Sequence, residues 1–180
     1  MIHFAALKAV GESVNKPLEY YFNNLNSLMN VLTCMREFKV PNLVFSSSCT
    51  VYGQADVLPV TEKTPRHEAE SPYGNTKVMS EDIIRDLMRV EPDMKALALR
   101  YFNPIGAHPT AFIGELPNGL PNNLIPYLTQ TAIGIREQLS VFGDDYNTPD
   151  GSPLRDYIDV VDLAQAHVVA IRRLLEGKNK

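Results

Sequence analysis

The sequence predicts an α/β fold built around a parallel β-sheet. Short apolar segments at residues 2–6, 42–45 and 96–102 are typical of buried strands. Longer segments with helical periodicity lie between them, at residues 18–38 and 73–89. Strands that alternate with helices at this spacing form βαβ units, whose strands run parallel. These observations place the first hundred residues in one parallel sheet.

The first helix is predicted from apolar residues that recur at spacings of three and four between residues 18 and 38. Residues 7–17 before it are predicted to form a strand-to-helix loop. Three asparagines, Asn23, Asn24 and Asn26, interrupt the start of the pattern and are poor helix formers. Either they form a solvated face or one of them reaches a ligand.

A hydroxyl-rich segment, Ser46–Gly53, follows the strand at 42–45 and is predicted to be a loop at its carboxyl end. Ligands bind at that end of the strands in open α/β sheets. Residues 54–72 are predicted to form a long surface loop. The next helix has a good N-cap in Ser71 and a proline, Pro72, at its first position.

The amino-acid composition changes in the second half of the chain, where residues 104–122 are rich in proline and glycine. This predicts a passage into a second domain. A helix at 124–136, strands at 139–142 and 157–160, and a helix at 163–175 are then expected. Asp162 is the predicted N-cap of the last helix.

Composition excludes several classes of function. The net charge is −4 without a basic run, which argues against a nucleic-acid partner. No apolar stretch approaches the ~18 residues that a transmembrane helix needs. Cys34 and Cys49 do not form a C-x-x-C pair, and the histidines lack metal-ligand spacing. We therefore expect a cytoplasmic protein with no membrane, metal or disulfide.

Tyr73 and Lys77 lie one helical turn apart at the start of the second long helix. The helix N-terminus and the lysine charge both favour a phenolate, so the sequence predicts a lowered tyrosine pKa and a general base. An ordinary solvated Tyr/Lys pair is the alternative. Ser48 ends one strand and Tyr73 begins the following helix, so the three side chains can converge at one sheet edge.

A serine, a tyrosine and a lysine in this order resemble the catalytic triad of short-chain dehydrogenases/reductases. Further segments resemble the UDP-glucose 4-epimerases, which are extended members of that family. These segments are Phe4–Ser13, Ser46–Gly53, Arg100–Pro104, Gly119–Leu124 and Arg155–Ile158. The resemblance covers almost the whole chain. It implies part of a Rossmann-type parallel sheet with helices on both faces, plus part of a smaller α/β substrate domain.

The resemblance implies a role for each matching residue. It makes residues 1–103 the latter part of an NAD-binding domain and 104–180 the start of a nucleotide-sugar-binding domain, with 156–176 packing back on the first. The catalytic residues would be Ser48, Tyr73 and Lys77. The residues near NAD would be Phe4, Lys8, Asn23, Lys77 and Tyr101. Those that hold the substrate would be Ser48, Cys49, Thr50, Tyr101, Phe102, Asn103, Asn122, Asn123, Leu124, Ser140, Val141, Phe142 and Arg155.

Several of these residues have plainer alternatives. Leu124 and Phe142 would suit the core of any fold, and Asn103 before a proline suits a turn. Arg155 beside Asp156 would suit a surface ion pair. Cys49 is expected to be a small residue in a tight loop.

The implied reaction is reversible inversion at C4 of UDP-glucose and UDP-galactose, through NAD-dependent oxidation to a 4-keto sugar. Related dehydratases place a carboxylate just before the Val-Tyr-Gly of this loop, whereas this chain has Cys49 and Thr50. A homodimer through helices 18–38 and 73–89 is also implied. The sequence contains no G-x-x-G-x-x-G turn for the NAD pyrophosphate, so we expect a fragment. A non-catalytic nucleotide-sugar-binding fragment, or another NAD-dependent nucleotide-sugar enzyme of the family, is the alternative.

Overall fold

The computed structural model describes residues 1–178, which divide into two compact units. The first unit contains Met1–Tyr101 and the stretch that begins at Gln165. The second unit is Phe102–Ala164. The proposed identity of residues 1–103 and 104–180 as cofactor and substrate domains stays a prediction.

The first unit is built on a three-stranded parallel sheet in the order β1 (Ile2–His3), β2 (Asn42–Ser48), β3 (Lys95–Tyr101). The register pairs Ile2 with Val44 and Ser48 with Tyr101. All three strands therefore end at the same edge of the sheet, where Ser48 and Tyr101 lie side by side.

Helices cover both faces of this sheet. Between β1 and β2 lie α1 (Val10–Asn15) and α2 (Pro17–Glu37), and α3 (Pro72–Val90) precedes β3. On one face, Leu43 and Phe45 pack with Leu28, Leu32 and Met35 of α2 and Ile84 of α3. On the other face, Val44 packs with Ala170 and Leu174 of the last helix. Alternate residues of a strand point to opposite faces, so β2 supplies both cores.

The predicted parallel sheet with helices on both faces is confirmed. Burial of each large apolar side chain contributes about 1.5–3 kcal/mol, so β2 stabilises the unit from both sides.

Among residues 1–178, no helix combines the length and the apolar character that crossing a membrane requires.

The second unit contains a two-stranded parallel sheet, β4 (Asn103–Ile105) with β5 (Tyr157–Asp159), and the helix α4 (Leu124–Ala132). The last helix, α5 (Val160–Leu175), begins directly after β5. The Asp159 carboxylate accepts a hydrogen bond from the Val161 amide at 2.7 Å. Asp159 therefore caps α5, and the predicted cap at Asp162 is wrong because the helix begins earlier.

Three other local predictions are wrong. Residues 7–17 contain the short helix α1 rather than a simple loop. The serines 46–48 belong to β2, because each pairs with a residue of β3. Residues 139–142 form no strand. They are exposed, and within residues 1–178 no neighbouring strand is present to form backbone hydrogen bonds with them.

Candidate active site

The start of α3 is held by its own sequence. The Ser71 hydroxyl accepts a hydrogen bond from the Gly74 amide at 3.1 Å, and Pro72 occupies the first helical position. The predicted cap is therefore confirmed. It places Tyr73 in the first turn and Lys77 one turn later, on the side of α3 that meets the end of β2.

Tyr73 and Lys77 each contact a serine of β2. The Lys77 ammonium donates to the Ser46 carbonyl oxygen at 2.7 Å. The Ser48 hydroxyl lies within reach of the Tyr73 phenol and, by hydrogen bonding, favours the phenolate. The structure thus brings together the three residues that were predicted to be catalytic.

Lys77 is an unusual lysine because its side chain is buried, with 5% of its surface exposed. Its nitrogen lies 5.0 Å from the centre of the Phe45 ring and 5.8 Å from that of the Tyr73 ring. Burial disfavours the ammonium and lowers the pKa of Lys77 to about 8. The lysine is therefore mostly charged at neutral pH, next to the phenol.

The pKa of Tyr73 is raised rather than lowered, which corrects the prediction from sequence. Burial of the phenol is the largest cause, since it disfavours the phenolate. The hydrogen bond from Ser48 acts in the opposite direction but does not outweigh burial. Helix position and the lysine alone are therefore insufficient to make this phenol acidic.

Aromatic side chains gather at the ends of β1 and β3. The Tyr101 phenol is hydrogen-bonded to the Ser46 hydroxyl, and burial raises the Tyr101 pKa. The His167 ring lies 4.8 Å from the exposed Phe4 ring and 6.0 Å from the Tyr101 ring, measured between centroids. Two of the predicted NAD neighbours, Phe4 and Tyr101, are therefore linked through one histidine.

The asparagines of α2 differ in environment. Asn24 is buried; its side chain accepts from the Leu7 amide at 2.8 Å and donates to the Leu7 carbonyl at 3.0 Å and to Thr76 Oγ1 at 3.1 Å. Asn23, the predicted NAD neighbour, is exposed and donates to Asn24 at 3.0 Å. Lys8 is exposed as well. Asn24 therefore fixes the loop that carries Phe4 and Lys8 against α3.

Cys49 and Thr50 begin a short 3-10 helix, Cys49–Tyr52, that follows β2. The Ser48 hydroxyl accepts from the Thr50 amide at 3.3 Å and so caps this turn. The Thr50 hydroxyl is buried and has no hydrogen-bond partner among the described residues. A ligand oxygen or amide at this point would satisfy it.

The remaining predicted substrate residues lie in the second unit. Asn103 is held by its side chain, which donates to the Asp156 carbonyl at 2.9 Å, and Phe102 is half-buried beside it. The other positions are all exposed: Asn122, Asn123, Leu124, Ser140, Val141, Phe142 and Arg155. Leu124 and Phe142 are thus not core residues of this unit, and their role as substrate contacts stays a prediction.

Sequence reasoning missed two groups in the first unit. The Ser46 carbonyl holds Lys77, and the carboxylate of Glu81 is buried one turn beyond that lysine. A sequence signal existed for Glu81, since Tyr73, Lys77 and Glu81 repeat every four residues. In the part of the chain that the structure describes, no cluster of His, Cys, Asp and Glu is arranged to hold a metal.

Comparisons with known proteins agree with this geometry. A family model described as the NAD dependent epimerase/dehydratase family matches residues 1–180. UDP-glucose 4-epimerase from Mus musculus is 56% identical over 176 residues, 98% of this chain and 51% of that protein. The enzyme of that name from Yersinia pestis is 53% identical over 174 residues, 97% of this chain and 52% of that protein.

A solved structure extends the likeness to the fold. The crystal structure of UDP-glucose 4-epimerase from Bifidobacterium longum in complex with NAD+ and UDP matches with a TM-score of 0.93 and 51% identity. The match covers 96% of this chain and 51% of that one. The chain thus spans about half the length of these relatives. The resemblance inferred from the motifs is confirmed.

The buried lysine predicts a specific pH dependence of stability. Its folded-state pKa of about 8 lies below the ordinary lysine value of 10.5, so the unfolded chain binds more protons between these values. The free energy of unfolding should therefore rise with pH from about 8 to 9.5, by on the order of 2 kcal/mol from this group. Above about pH 10, Tyr73 contributes in the opposite direction because its pKa is raised.

Urea denaturation of the wild type and of Lys77→Met, at pH 7.5 and pH 9.5, measures this contribution. The rise should be lost in Lys77→Met and kept in Lys63→Met, which removes an exposed lysine. Equal pH dependence in all three proteins would show that Lys77 is not held in a low-pKa environment.

Proposed function

Because this chain belongs to the NAD dependent epimerase/dehydratase family, we propose that it carries the catalytic centre of a UDP-glucose 4-epimerase. The reaction is the reversible inversion of C4 in UDP-glucose and UDP-galactose through a 4-keto sugar. The single observation that supports it most is the contact of Tyr73 with Ser48, beside the buried ammonium of Lys77.

Each residue of the group has a chemical task in this proposal. Tyr73 takes the proton of the C4 hydroxyl and, after the keto sugar has turned, returns a proton to the C4 oxygen. Ser48 holds the C4 oxygen by a hydrogen bond, and Lys77 supplies positive charge beside the phenol. Bound NAD would supply the acceptor for the C4 hydride, which returns to the opposite face of C4, and would add positive charge that favours the phenolate.

The residues of the first unit fit the nicotinamide end of NAD. Lys77 and Tyr101 lie at the carboxyl edge of a parallel sheet, and the exposed ring of Phe4 lies at the same edge. The Thr50 hydroxyl, which has no hydrogen-bond partner within residues 1–178, offers a hydrogen bond to a ligand, which we propose is the sugar. In the second unit, Asn122, Asn123, Leu124 and the 140–142 segment are proposed contacts of the uridine diphosphate. Arg155 would pair with its phosphates.

The alternative is that the 180-residue chain binds a nucleotide sugar without turning it over. The observation in its favour is the missing glycine-rich turn, which in this fold cradles the NAD pyrophosphate. A dehydratase is a weaker alternative, because the turn after β2 carries Cys49 and Thr50 and no carboxylate that would help remove water.

The experiment for this proposal measures bound NAD and the conversion of UDP-galactose to UDP-glucose by the purified chain. Tyr73→Phe should lower kcat by about 10²–10⁴-fold, because the general base is lost while the ring remains. NAD content should stay at the wild-type level, since Phe keeps the packing of the phenol ring.

Tyr157→Phe is the matched control, because it removes another tyrosine hydroxyl, from β5. It should turn over like the wild type. Activity of Tyr73→Phe close to that of the wild type would reject Tyr73 as the base. A wild-type chain that binds UDP-galactose but neither retains NAD nor turns over would instead support the binding-only alternative.

The proposal includes a homodimer and a cytoplasmic location, the latter from cysteine usage alone. The dimer is supported by an apolar stripe on the outer side of α2, where Leu18, Phe22 and Met29 are 81%, 74% and 42% exposed. Large apolar side chains exposed in a row on one helix mark an interaction surface. A second copy of α2 would cover this stripe.

Phe22→Glu tests the dimer, because a carboxylate in the middle of the stripe would have to be buried unpaired on association. Light scattering should give the mass of a dimer for the wild type and of a monomer for this variant. Val57→Glu, at an exposed apolar residue outside α2, should remain dimeric. A wild type that is monomeric at high concentration would contradict the dimer proposal.

A further inference from the structure

Glu81 is a buried carboxylate to which the proposed reaction assigns no task. Its residue is 9% exposed. The Ser47 hydroxyl donates to Oε1 at 2.6 Å, and Arg100 donates from Nε to Oε1 at 2.8 Å and from Nη2 to Oε2 at 2.6 Å. Arg66 Nη1 lies 3.7 Å from Oε2. Glu81 is therefore fully engaged within the protein.

These contacts join the elements that carry the candidate active site. Ser47 precedes Ser48 at the end of β2, and Arg100 precedes Tyr101 at the end of β3. Arg100 also donates to the Tyr52 hydroxyl at 3.2 Å, at the far end of the 3-10 turn. One carboxylate of α3 thus ties together β2, β3 and the turn that carries Cys49 and Thr50.

The four-residue spacing along α3 connects Glu81 to Lys77 and Tyr73 on one side of the helix. Tyr73, Lys77 and Glu81 contact Ser48, Ser46 and Ser47 in turn, so the same side of the helix meets all three serines. Because a helix is rigid, a shift at Glu81 is passed along its axis to Tyr73. The bidentate guanidinium–carboxylate pair fixes geometry in a way that a single hydrogen bond does not.

We propose that Glu81 is a positioning residue, which sets the register of α3 on β2 and thereby the contact of Tyr73 with Ser48. This inference rests on the proposed function for its catalytic meaning, but the placement of β2 against α3 is measurable without turnover. We do not expect the main effect of Glu81 to be on the free energy of unfolding. A buried ion pair adds little to that free energy beyond what a well-packed apolar pair would add.

Cys49 provides a local probe of this placement, because it follows Ser48 directly and the residue is partly exposed. In a Cys34→Ser background, the rate at which an aromatic disulfide reagent modifies Cys49 reports how firmly the end of β2 is held. Glu81→Gln keeps an acceptor for Ser47 but presents an NH2 group to Arg100. Its rate should rise several-fold, and that of Glu81→Ala should rise further.

Two controls separate positioning from general loss of stability. Asp86→Asn removes an exposed carboxylate of α3 that pairs with Arg89, and its Cys49 rate should stay at the wild-type value. Leu32→Ala destabilises the core away from the site. If Leu32→Ala raises the rate as much as Glu81→Gln does, the effect is general and the proposal is overturned.

Turnover supplies the second readout. In Glu81→Gln, kcat should fall by about 10²-fold with little change in KM, since a misplacement on the order of 1 Å can cost that much. Unchanged kcat and an unchanged Cys49 rate in folded Glu81→Gln would overturn the proposal. A wild type without turnover would reject the proposed function, while the Cys49 rates would still decide the placement.

Ser47→Ala keeps the inference testable if both Glu81 variants fail to fold. It removes one hydrogen bond to the carboxylate and leaves the pair with Arg100 intact. The Cys49 rate should then rise by less than in a Glu81 variant but measurably above that of Asp86→Asn. A rate equal to the wild type would overturn the proposal.

Discussion

The contact between one side of α3 and the last three residues of β2 is the constraint on which the candidate active site depends. Lys77 donates a hydrogen bond to a backbone carbonyl of β2, and Tyr73 lies within reach of a hydroxyl of the same strand. The contact exists because Ser71 begins the helix at the right residue and because Leu43 and Phe45 pack β2 against α2 and α3. Local capping and core packing therefore act together to bring the phenol to Ser48.

The electrostatics of the site follow from burial. Burial lowers the pKa of Lys77 and raises that of Tyr73, so both effects favour the uncharged forms. A phenol in this environment does not ionise readily through its neighbouring lysine alone. Under the proposed function, the charge of a bound nicotinamide adds to that of Lys77 and to the Ser48 hydrogen bond. Deprotonation of the base would then be coupled to the presence of the cofactor.

Sequence patterns predicted those features of the fold that depend only on residues close together in the sequence. The periodicity of α2 and the cap of α3 are properties of adjacent residues, and both are confirmed. The Ser46 carbonyl as a partner of Lys77 was not predictable, because it depends on the register of α3 against β2. Asn24 rather than Asn23 is buried for the same reason, since only the fold decides which asparagine faces Leu7. The strand expected at 139–142 failed because an apolar run without a partner strand has no ladder to join; Phe142 is 94% exposed.

The most direct test of the site is the pKa of the Tyr73 phenol, measured by NMR on protein with 13Cζ-labelled tyrosine. Tyr73→Phe identifies its signal among those of the eight tyrosines. In protein freed of NAD, we expect a Tyr73 pKa above the ordinary value of 10.0, because burial dominates. It should rise further in Ser48→Ala, because that variant removes the hydrogen bond that lowers it. A Tyr73 pKa below 10.0, or one that Ser48→Ala leaves unchanged, would contradict this description of the contact between α3 and β2.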